Sequence, residues 1–167
     1  MIDQETLKSL FEYRSDGCLV LANDPEVDLW KRRPVGFLSQ SKDRPEKSYR
    51  STKIKGKHYR IHSLIWLWHY GELPKQIDHI NRNGLDNRIE NLRIATNSQN
   101  MMNRKKFKNN SSGVTGVSWH KNQDKWFVYV DANKKRKNIG YFDDLELAEL
   151  VAIEARDLYH GKFARLA

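Results

Sequence analysis

The sequence is poor in cysteine and has no long apolar segment. Its single cysteine, Cys18, cannot form a disulfide within the chain or build a zinc site from several thiolates. The longest uninterrupted apolar run, Leu64 to Trp68, is far too short to cross a membrane, and the acidic N-terminal segment lacks the features of a signal peptide. These absences predict an intracellular protein of the reducing cytoplasm without a membrane partner.

Acidic side chains are scarce in two parts of the chain. The 167 residues carry a net charge of +9, although residues 1–28 have seven acidic and two basic side chains. Residues 30–60 contain eleven basic side chains against two acidic ones, and residues 101–112 contain four basic side chains and no acidic one. A polyanion would bind such segments, because each neutralised phosphate releases counterions. Basic runs are also common on solvated surfaces, so both interpretations stay open from charge alone.

The side chains that can carry out chemistry are concentrated between residues 76 and 100. Asp78 and His79 close a short strand-like run, and Asn91 opens a second apolar run after a polar loop. Thr96 and the glutamine three residues later match a capping box, which predicts a helix that contains Asn100. Strand, loop, strand and helix are therefore expected to bring these polar side chains to one place.

The residue types in this segment suit phosphodiester cleavage. A carboxylate (Asp78) and an amide oxygen (Asn100) are hard ligands for one Mg²⁺ or Mn²⁺ ion. His79 can take a proton from an attacking water near neutral pH. Its ring must be held by a neighbouring acceptor, and we expect Asn91 at the start of the facing strand to do this. Asn87 is expected to stabilise the loop.

The segment resembles the ββα-metal motif of HNH endonucleases, in the phage and intron-homing branch where Asp-His replaces His-His and Asn replaces the distal metal-binding His. The lead-in from Tyr59 to Pro74 is similar as well. The resemblance implies that Asp78 and Asn100 hold one metal ion per active site, that His79 is the general base and that Asn91 orients it. His62 matches a family histidine near the active site and is a second candidate for contacting the scissile phosphate. A structural loop capped by Asp78 and Asn91 is the alternative.

Two segments are predicted to follow nucleic-acid phosphates without reading sequence. The first is a hairpin of strands 49–54 and 57–61, joined by Lys55-Gly56, whose exposed side chains are nearly all basic. The second is a polar, basic linker over residues 103–112. The predicted contacts are Arg50, Lys53, Lys55, Lys57, Arg60, Arg104, Lys105 and Lys106.

The remaining elements of the first hundred residues are two helices and a strand. Residues 3–13 predict a helix capped by Asp3, and Asp16-Gly17 predicts a turn into a strand over residues 18–22. Residues 62–70 predict a short apolar helix that Gly71 ends.

The C-terminal segment, residues 113–167, predicts a three-stranded antiparallel sheet backed by a helix that runs from Asp144 to about His160. It resembles the AP2 DNA-binding domain through Gly116 to Trp119, Lys125-Trp126, Gly140 to Phe142 and the closing YHGKFA. In that family, the sheet face opposite the helix enters the major groove of double-stranded DNA. The residues implied by position are Thr115, Ser118, His120, Tyr129, Asp131, Arg136 and Asn138. A purely structural or protein-binding sheet is the alternative.

These features together predict an α+β protein with an HNH nuclease domain over residues 1–102, a basic linker over 103–112 and an AP2-like domain over 113–167. The predicted function is site-targeted, homing-type nicking or cleavage of DNA by a monomer or weak dimer from a phage or bacterium, without a small-molecule cofactor. The alternatives are a catalytically inactive, sequence-specific DNA-binding regulator and an RNA nuclease.

Overall fold

The structure is a computed structural model that describes residues 2–22, 28–29, 31–41, 44–103, 110 and 112–164. In this part of the chain, no helix combines the length and the apolar character needed to cross a membrane. The chain divides into two compact units, residues 1–94 and 95–167. Both units combine helices with small antiparallel sheets, which confirms the predicted α+β class.

The first unit begins with helix α1 (Gln4–Leu10) and a hairpin of strands β1 (Phe11–Arg14) and β2 (Cys18–Leu21). The side chain of Asp3 caps the helix by accepting a hydrogen bond from the backbone N–H of Thr6, as predicted. The prediction that the helix continues to residue 13 is wrong. Its last residues pair with β2 instead, because a cross-strand ladder outweighs the weak local preference for helix.

The basic hairpin belongs to a three-stranded sheet with the order β3-β4-β5. Its strands are β3 (Phe37–Ser41), β4 (Arg44–Ile54) and β5 (Lys57–Arg60). The predicted turn at Lys55-Gly56 is confirmed, and both residues have positive φ. Strand β3 was not predicted, because its residues are partly polar and pair with β4 through their backbone groups.

Helix α2 (Ile61–Tyr70) provides the centre of the first core and ends at Gly71, whose φ of 75° is left-handed. The core consists of Leu7, Phe11, Leu19, Ile54, Ile61, Leu64, Ile65, Leu67, Ile77 and Leu92. Its last two members belong to strands β6 (Ile77–His79) and β7 (Leu92–Ile94), which form a separate antiparallel pair. These two short strands are therefore anchored in the core.

The second unit contains helix α3 (Asn97–Met102), a sheet and helix α4 (Leu145–His160). The sheet has the order β10-β9-β8, and its strands are β8 (Val117–His120), β9 (Lys125–Ala132) and β10 (Lys135–Phe142). This arrangement confirms the three antiparallel strands and the helix that the sequence predicts. The loop predicted over residues 133–136 is shorter, because Asn133 and Lys134, both with positive φ, complete the turn.

Small side chains bring α4 close to the sheet. Ala148 and Ala152 are fully buried against Val117 and Val128. Met102 of α3 packs with a neighbouring cluster formed by strand β9 and α4. Helix α3, which the sequence assigns to the nuclease domain, thus belongs to the second compact unit. The functional domain boundaries stay a prediction.

Candidate active site

Strands β6 and β7 place the predicted catalytic pair. Asp78 lies opposite Arg93 and His79 lies opposite Leu92 in the antiparallel register. Because neighbouring side chains of a strand point to opposite faces, the carboxylate and the imidazole occupy different sides of β6. Both residues are buried, with exposures of 5% and 6%. Two adjacent polar side chains at this depth require specific partners.

The imidazole of His79 is surrounded by other rings. The ring of His62 lies edge-on to it at a centroid distance of 5.0 Å, and the ring of Tyr49 lies 5.9 Å away. The Tyr49 ring also carries the guanidinium of Arg60 at 4.4 Å from its centroid. The structure therefore brings the predicted His62 and His79 together. Tyr49 was missed, because a hairpin tyrosine gives no signal of its distant contacts.

The hydrogen-bond partner of His79 differs from the predicted one. Nε2 of His79 lies 3.0 Å from the side-chain oxygen of Asn87, which is 2% exposed. An amide oxygen only accepts, so Nε2 carries the proton and Nδ1 has the lone pair. The side chain of Asn91, which was expected to hold this ring, bonds to Asn81 and Asp86 in the structure, and its role at His79 stays a prediction. Asn87 makes the contact at Nε2.

Asn91 holds the loop that carries Asn87. Its side-chain oxygen accepts a hydrogen bond from the backbone N–H of Asn81 at 3.0 Å. Its amide nitrogen donates to the side-chain oxygen of Asn81 at 3.0 Å and to the backbone carbonyl of Asp86 at 2.7 Å. These bonds join the two ends of the loop, and the backbone carbonyl of Asn91 accepts a hydrogen bond from the N–H of Ile80 at 2.9 Å, so Asn91 supports both the loop and the residue that follows His79.

The N-terminal β1–β2 hairpin packs against the backbone of the loop that carries Asn87. Gly17 has a φ of +83°, and a Cβ atom there would lie 2.4 Å from the backbone nitrogen of Arg88 and 2.6 Å from the carbonyl carbon of Asn87. The hydroxyl of Tyr13 accepts a hydrogen bond from the backbone N–H of Ile89 at 3.2 Å. The turn predicted at Asp16-Gly17 thus has a second role that local sequence does not reveal.

Burial determines the protonation of the two histidines. It lowers the pKa of His79 below its ordinary value, while the hydrogen bond to Asn87 and the charge of Asp78 oppose this effect. Burial, assisted by the neighbouring His79 and Arg60, lowers the pKa of His62 to about 3. Both rings are therefore neutral at pH 7, and a neutral imidazole is the form that accepts a proton.

Asp78 is neutralised by a guanidinium. Nε and Nη2 of Arg93 donate to its Oδ2 atom at 2.8 and 2.6 Å. A buried carboxylate requires such a positive partner, and a hard divalent cation could satisfy the same oxygen. Among the described residues, no group of three or more His, Cys, Asp or Glu side chains could hold a metal. The carboxylate of Asp78 is an oxygen donor of the hard type that Mg²⁺ and Mn²⁺ prefer.

Asn100 lies on helix α3 in the second unit. The capping box predicted at its start is present, since Gln99 N–H donates to the Thr96 hydroxyl at 3.2 Å and Thr96 N–H donates to the Gln99 side chain at 2.8 Å. The backbone N–H of Asn100 donates to the Thr96 carbonyl. The pairing of Asn100 with Asp78 around one ion stays a prediction.

The predicted phosphate contacts of the hairpin lie mostly on its surface. Lys53, Lys55, Lys57 and Arg60 are exposed, whereas Arg50 is half-buried and donates to the Gly36 carbonyl at 3.4 Å. The predicted linker contacts Arg104, Lys105 and Lys106 lie outside the described residues.

The sheet of the second unit presents aromatic rings on the face opposite α4. Phe127 contacts the rings of His120, Tyr129 and Tyr141 at centroid distances of 6.4, 5.7 and 4.9 Å. The Arg136 guanidinium lies 3.9 Å from the Tyr129 centroid. Val128 and Val130, which alternate with these rings along β9, are buried on the helix side. Of the other predicted contacts, Asn138 is exposed and Thr115 and Ser118 are half-buried. Their contacts with DNA stay predictions.

Comparison with known proteins defines the class to which this site belongs. The model of the HNH endonuclease family matches residues 59–102, the segment that contains α2, β6, β7 and α3. The chain therefore carries an HNH endonuclease domain. It belongs to the same family as Protein 3.8 of Escherichia phage T7, to which it is 39% identical over 108 residues, 64% of this chain and 88% of that protein. No solved structure matches the chain.

Proposed function

We propose that this protein is a metal-dependent DNA endonuclease in which His79 is the general base. The observation that carries the proposal is the buried, neutral imidazole of His79, which is held through Nε2 by Asn87 and follows Asp78 in sequence. Nδ1 is then the nitrogen that accepts a proton. The match to the HNH endonuclease family over the same residues supports this reading.

Each residue of the site has its own role in the proposed cleavage reaction. His79 Nδ1 takes a proton from water as the water oxygen bonds to phosphorus, and the bond from phosphorus to the 3′ oxygen breaks. Asp78 and Asn100 would hold one Mg²⁺ or Mn²⁺ ion, which when bound neutralises charge on the phosphoryl group and the departing oxygen. Arg60, whose guanidinium lies over the Tyr49 ring, binds the scissile phosphate. His62 packs against the general base His79 and lines the phosphate site.

Double-stranded DNA is the proposed substrate. The exposed lysines of the β4–β5 hairpin bind its backbone, and the AP2-like sheet of the second unit recognises its target. One active site per chain cuts one strand, so a double-strand break requires two copies. The phage origin of Protein 3.8 supports a role in a phage, and site-targeted, homing-type cutting is part of the proposal.

Supercoiled plasmid provides the test. The protein is incubated with plasmid with and without Mg²⁺, beside His79→Ala and His58→Ala variants. His79→Ala should lower the cutting rate by about 10²–10⁴-fold, the usual contribution of a general base, while DNA binding persists. His58 is an exposed histidine on β5, so its replacement should leave cutting unchanged.

Two results would contradict the proposal. Cutting that survives in His79→Ala would show that another group takes the proton. Plasmid that binds the protein but stays intact in every lane would favour a DNA-binding regulator.

A further inference from the structure

We propose that Arg93 is the internal counter-ion of the metal site: it holds Asp78 in the DNA-free protein and passes to a DNA phosphate when the ion binds. Metal and DNA would then bind cooperatively, each favouring the other. This inference rests on the proposed function, because it takes Asp78 as a metal ligand.

The cross-strand geometry makes Arg93 a direct competitor for the carboxylate. Arg93 and Asp78 are partners in the β6–β7 register, and two nitrogens of the guanidinium converge on the single oxygen Oδ2 at 2.8 and 2.6 Å. The two side chains are only 15% and 6% exposed. A charge-assisted contact of this length, largely shielded from water, is among the stronger interactions available to a side chain. A metal ion that requires this carboxylate must therefore displace or weaken it.

Release of the guanidinium requires a new anionic partner. A buried cation separated from its carboxylate is costly, and a divalent ion on the same carboxylate would repel it. A DNA phosphate resolves both problems, since its oxygens match the planar fork of arginine and its charge attracts the ion as well. Phosphate at the site should thus raise metal affinity, and by reciprocity the metal should raise DNA affinity by the same factor.

The chain contains a matched pair for comparison. Arg136 and Asp131 are also cross-strand partners, and Nε and Nη2 of Arg136 contact the carboxylate at 2.8 and 2.9 Å. This second pair is more than half exposed, lies in the other unit and has no predicted role in metal binding. Replacement of Arg136 therefore removes an equivalent ion pair without touching the metal site.

Mn²⁺ binding to the full chain tests the inference without measuring cleavage. Free Mn²⁺ is followed by electron paramagnetic resonance in the His79→Ala background, which prevents cutting, with and without sonicated plasmid DNA. Arg93→Gln should raise the DNA-free affinity for Mn²⁺ by about tenfold, within the usual range of coupling between sites, and should abolish the further increase caused by DNA. Arg93→Lys, which keeps the charge, should retain the effect of DNA. Arg136→Gln, which replaces a predicted DNA contact, is compared only in the absence of DNA, where the affinity for Mn²⁺ should be unchanged.

An Asp78→Asn variant distinguishes failure of the counter-ion role of Arg93 from failure of the metal assignment. If the parent binds Mn²⁺ through Asp78 and neither Arg93 variant changes the affinity or the effect of DNA, the counter-ion role is overturned and the nuclease proposal stands. If no Mn²⁺ binding depends on Asp78, the metal assignment is overturned together with this inference. Circular dichroism establishes whether the Arg93 variants are folded. If the glutamine variant is not, Arg93→Met, which also removes the charge, takes its place with the same expected rise in DNA-free affinity, and an unchanged affinity there overturns the counter-ion role.

Discussion

At the scale of single residues, the position of one imidazole depends on a chain of amide contacts. His79 is held by Asn87, and the loop that carries Asn87 is closed by Asn91. Removal of either asparagine should therefore disturb the orientation of the His79 imidazole, but by a different mechanism. Asn87 acts through the ring nitrogen itself, whereas Asn91 acts through the shape of the backbone.

Substitution of Asn87 should change both the rate and its pH dependence. Asn87→Ala leaves Nε2 without its acceptor and should lower cutting by about 10–100-fold, the usual effect of losing a group that orients an active-site histidine. Asn87→Asp restores the acceptor and adds a negative charge, which raises the pKa of His79. As the pH falls, kcat/KM should decrease as His79 is protonated; we call this decrease the acid limb. In the wild type its midpoint should lie below pH 6.5, because burial lowers the pKa of His79.

The aspartate variant provides the sharper measurement. Its acid limb should move to higher pH than in the wild type, since the base must lose its proton before it can act. A loss of rate without movement of the limb would mean that Asn87 only supports the fold. Asn91→Ala serves as the comparison, because it should lower the rate without adding a charge beside the ring.

His62 should make the stability of the first unit depend on pH. Its folded pKa is about 3, whereas an unfolded histidine titrates near 6.5. Between these values the unfolded chain binds the extra proton, so stability is fully present above pH 6.5 and is lost as the pH falls towards 3. Urea unfolding at pH 7, 6 and 5 should show a slope of up to about 1.4 kcal/mol per pH unit from this group.

The matched variants for this measurement are His62→Gln and His58→Gln. The first removes the buried titrating group and should flatten the dependence, whatever it does to stability at pH 7. The second replaces an exposed histidine and should leave the slope unchanged. An equal slope in the wild type and His62→Gln would assign the acid sensitivity to other groups.

At the scale of elements, the active-site loop rests on a hairpin that is distant in sequence. The β1–β2 turn meets the backbone of Asn87 and Arg88 at Gly17, where there is no room for a side chain. The position of His79 thus depends on a contact between residues about seventy positions apart. This contact gives a reason why the N-terminal segment belongs to the catalytic unit.

Gly17→Ala and Gly56→Ala form a matched pair of turn substitutions. Both glycines have φ near +80°, so alanine costs each turn about 1–2 kcal/mol of backbone strain. Only Gly17 also meets backbone atoms, which should add about 1–3 kcal/mol of overpacking. Calorimetry should therefore show a clearly larger loss of stability for Gly17→Ala, with a loss of cutting that Gly56→Ala does not share. Equal losses would mean that the loop yields to the added methyl group.

The elements also show what local sequence can predict. The Lys55-Gly56 turn, the Thr96 capping box and the end of α2 at Gly71 were predictable, because each depends on residues within one turn of each other. Strand β3 and the contact from Asn87 to His79 were not. The first is formed by backbone pairing of polar residues, and the second depends on how a loop folds back across eight residues. Asp78 and His79 could be predicted as site residues because their chemistry is visible in the sequence itself, and their roles stay predictions.

At the scale of the whole molecule, positive charge dominates the chain but is unevenly spread. Most of the surplus comes from residues 30–60 and 101–112, while residues 113–167 carry nine basic and eight acidic side chains. The segment 113–167 therefore contributes little net charge of its own. Its aromatic sheet face is better suited to recognition than to electrostatic attraction.

The hairpin lysines should set the salt dependence of binding. Replacement of Lys53, Lys55 and Lys57 by alanine should reduce the slope of log affinity against log salt by about 2–3, because each phosphate contact contributes about 0.9. The corresponding triple arginine variant keeps the charges and should keep the slope. A slope that does not change in the alanine variant would place these exposed side chains away from DNA.

The anchoring of β6 and β7 limits how this motif can be moved between proteins. Strands of three residues cannot hold themselves together in water, and Ile77 and Leu92 derive their fixed positions from apolar side chains supplied by α1, α2 and two hairpins. A peptide copied from residues 76–100 would possess the reacting groups but would lack the apolar core that holds them in position. A design that moves the cleavage motif into a new scaffold must therefore include that core.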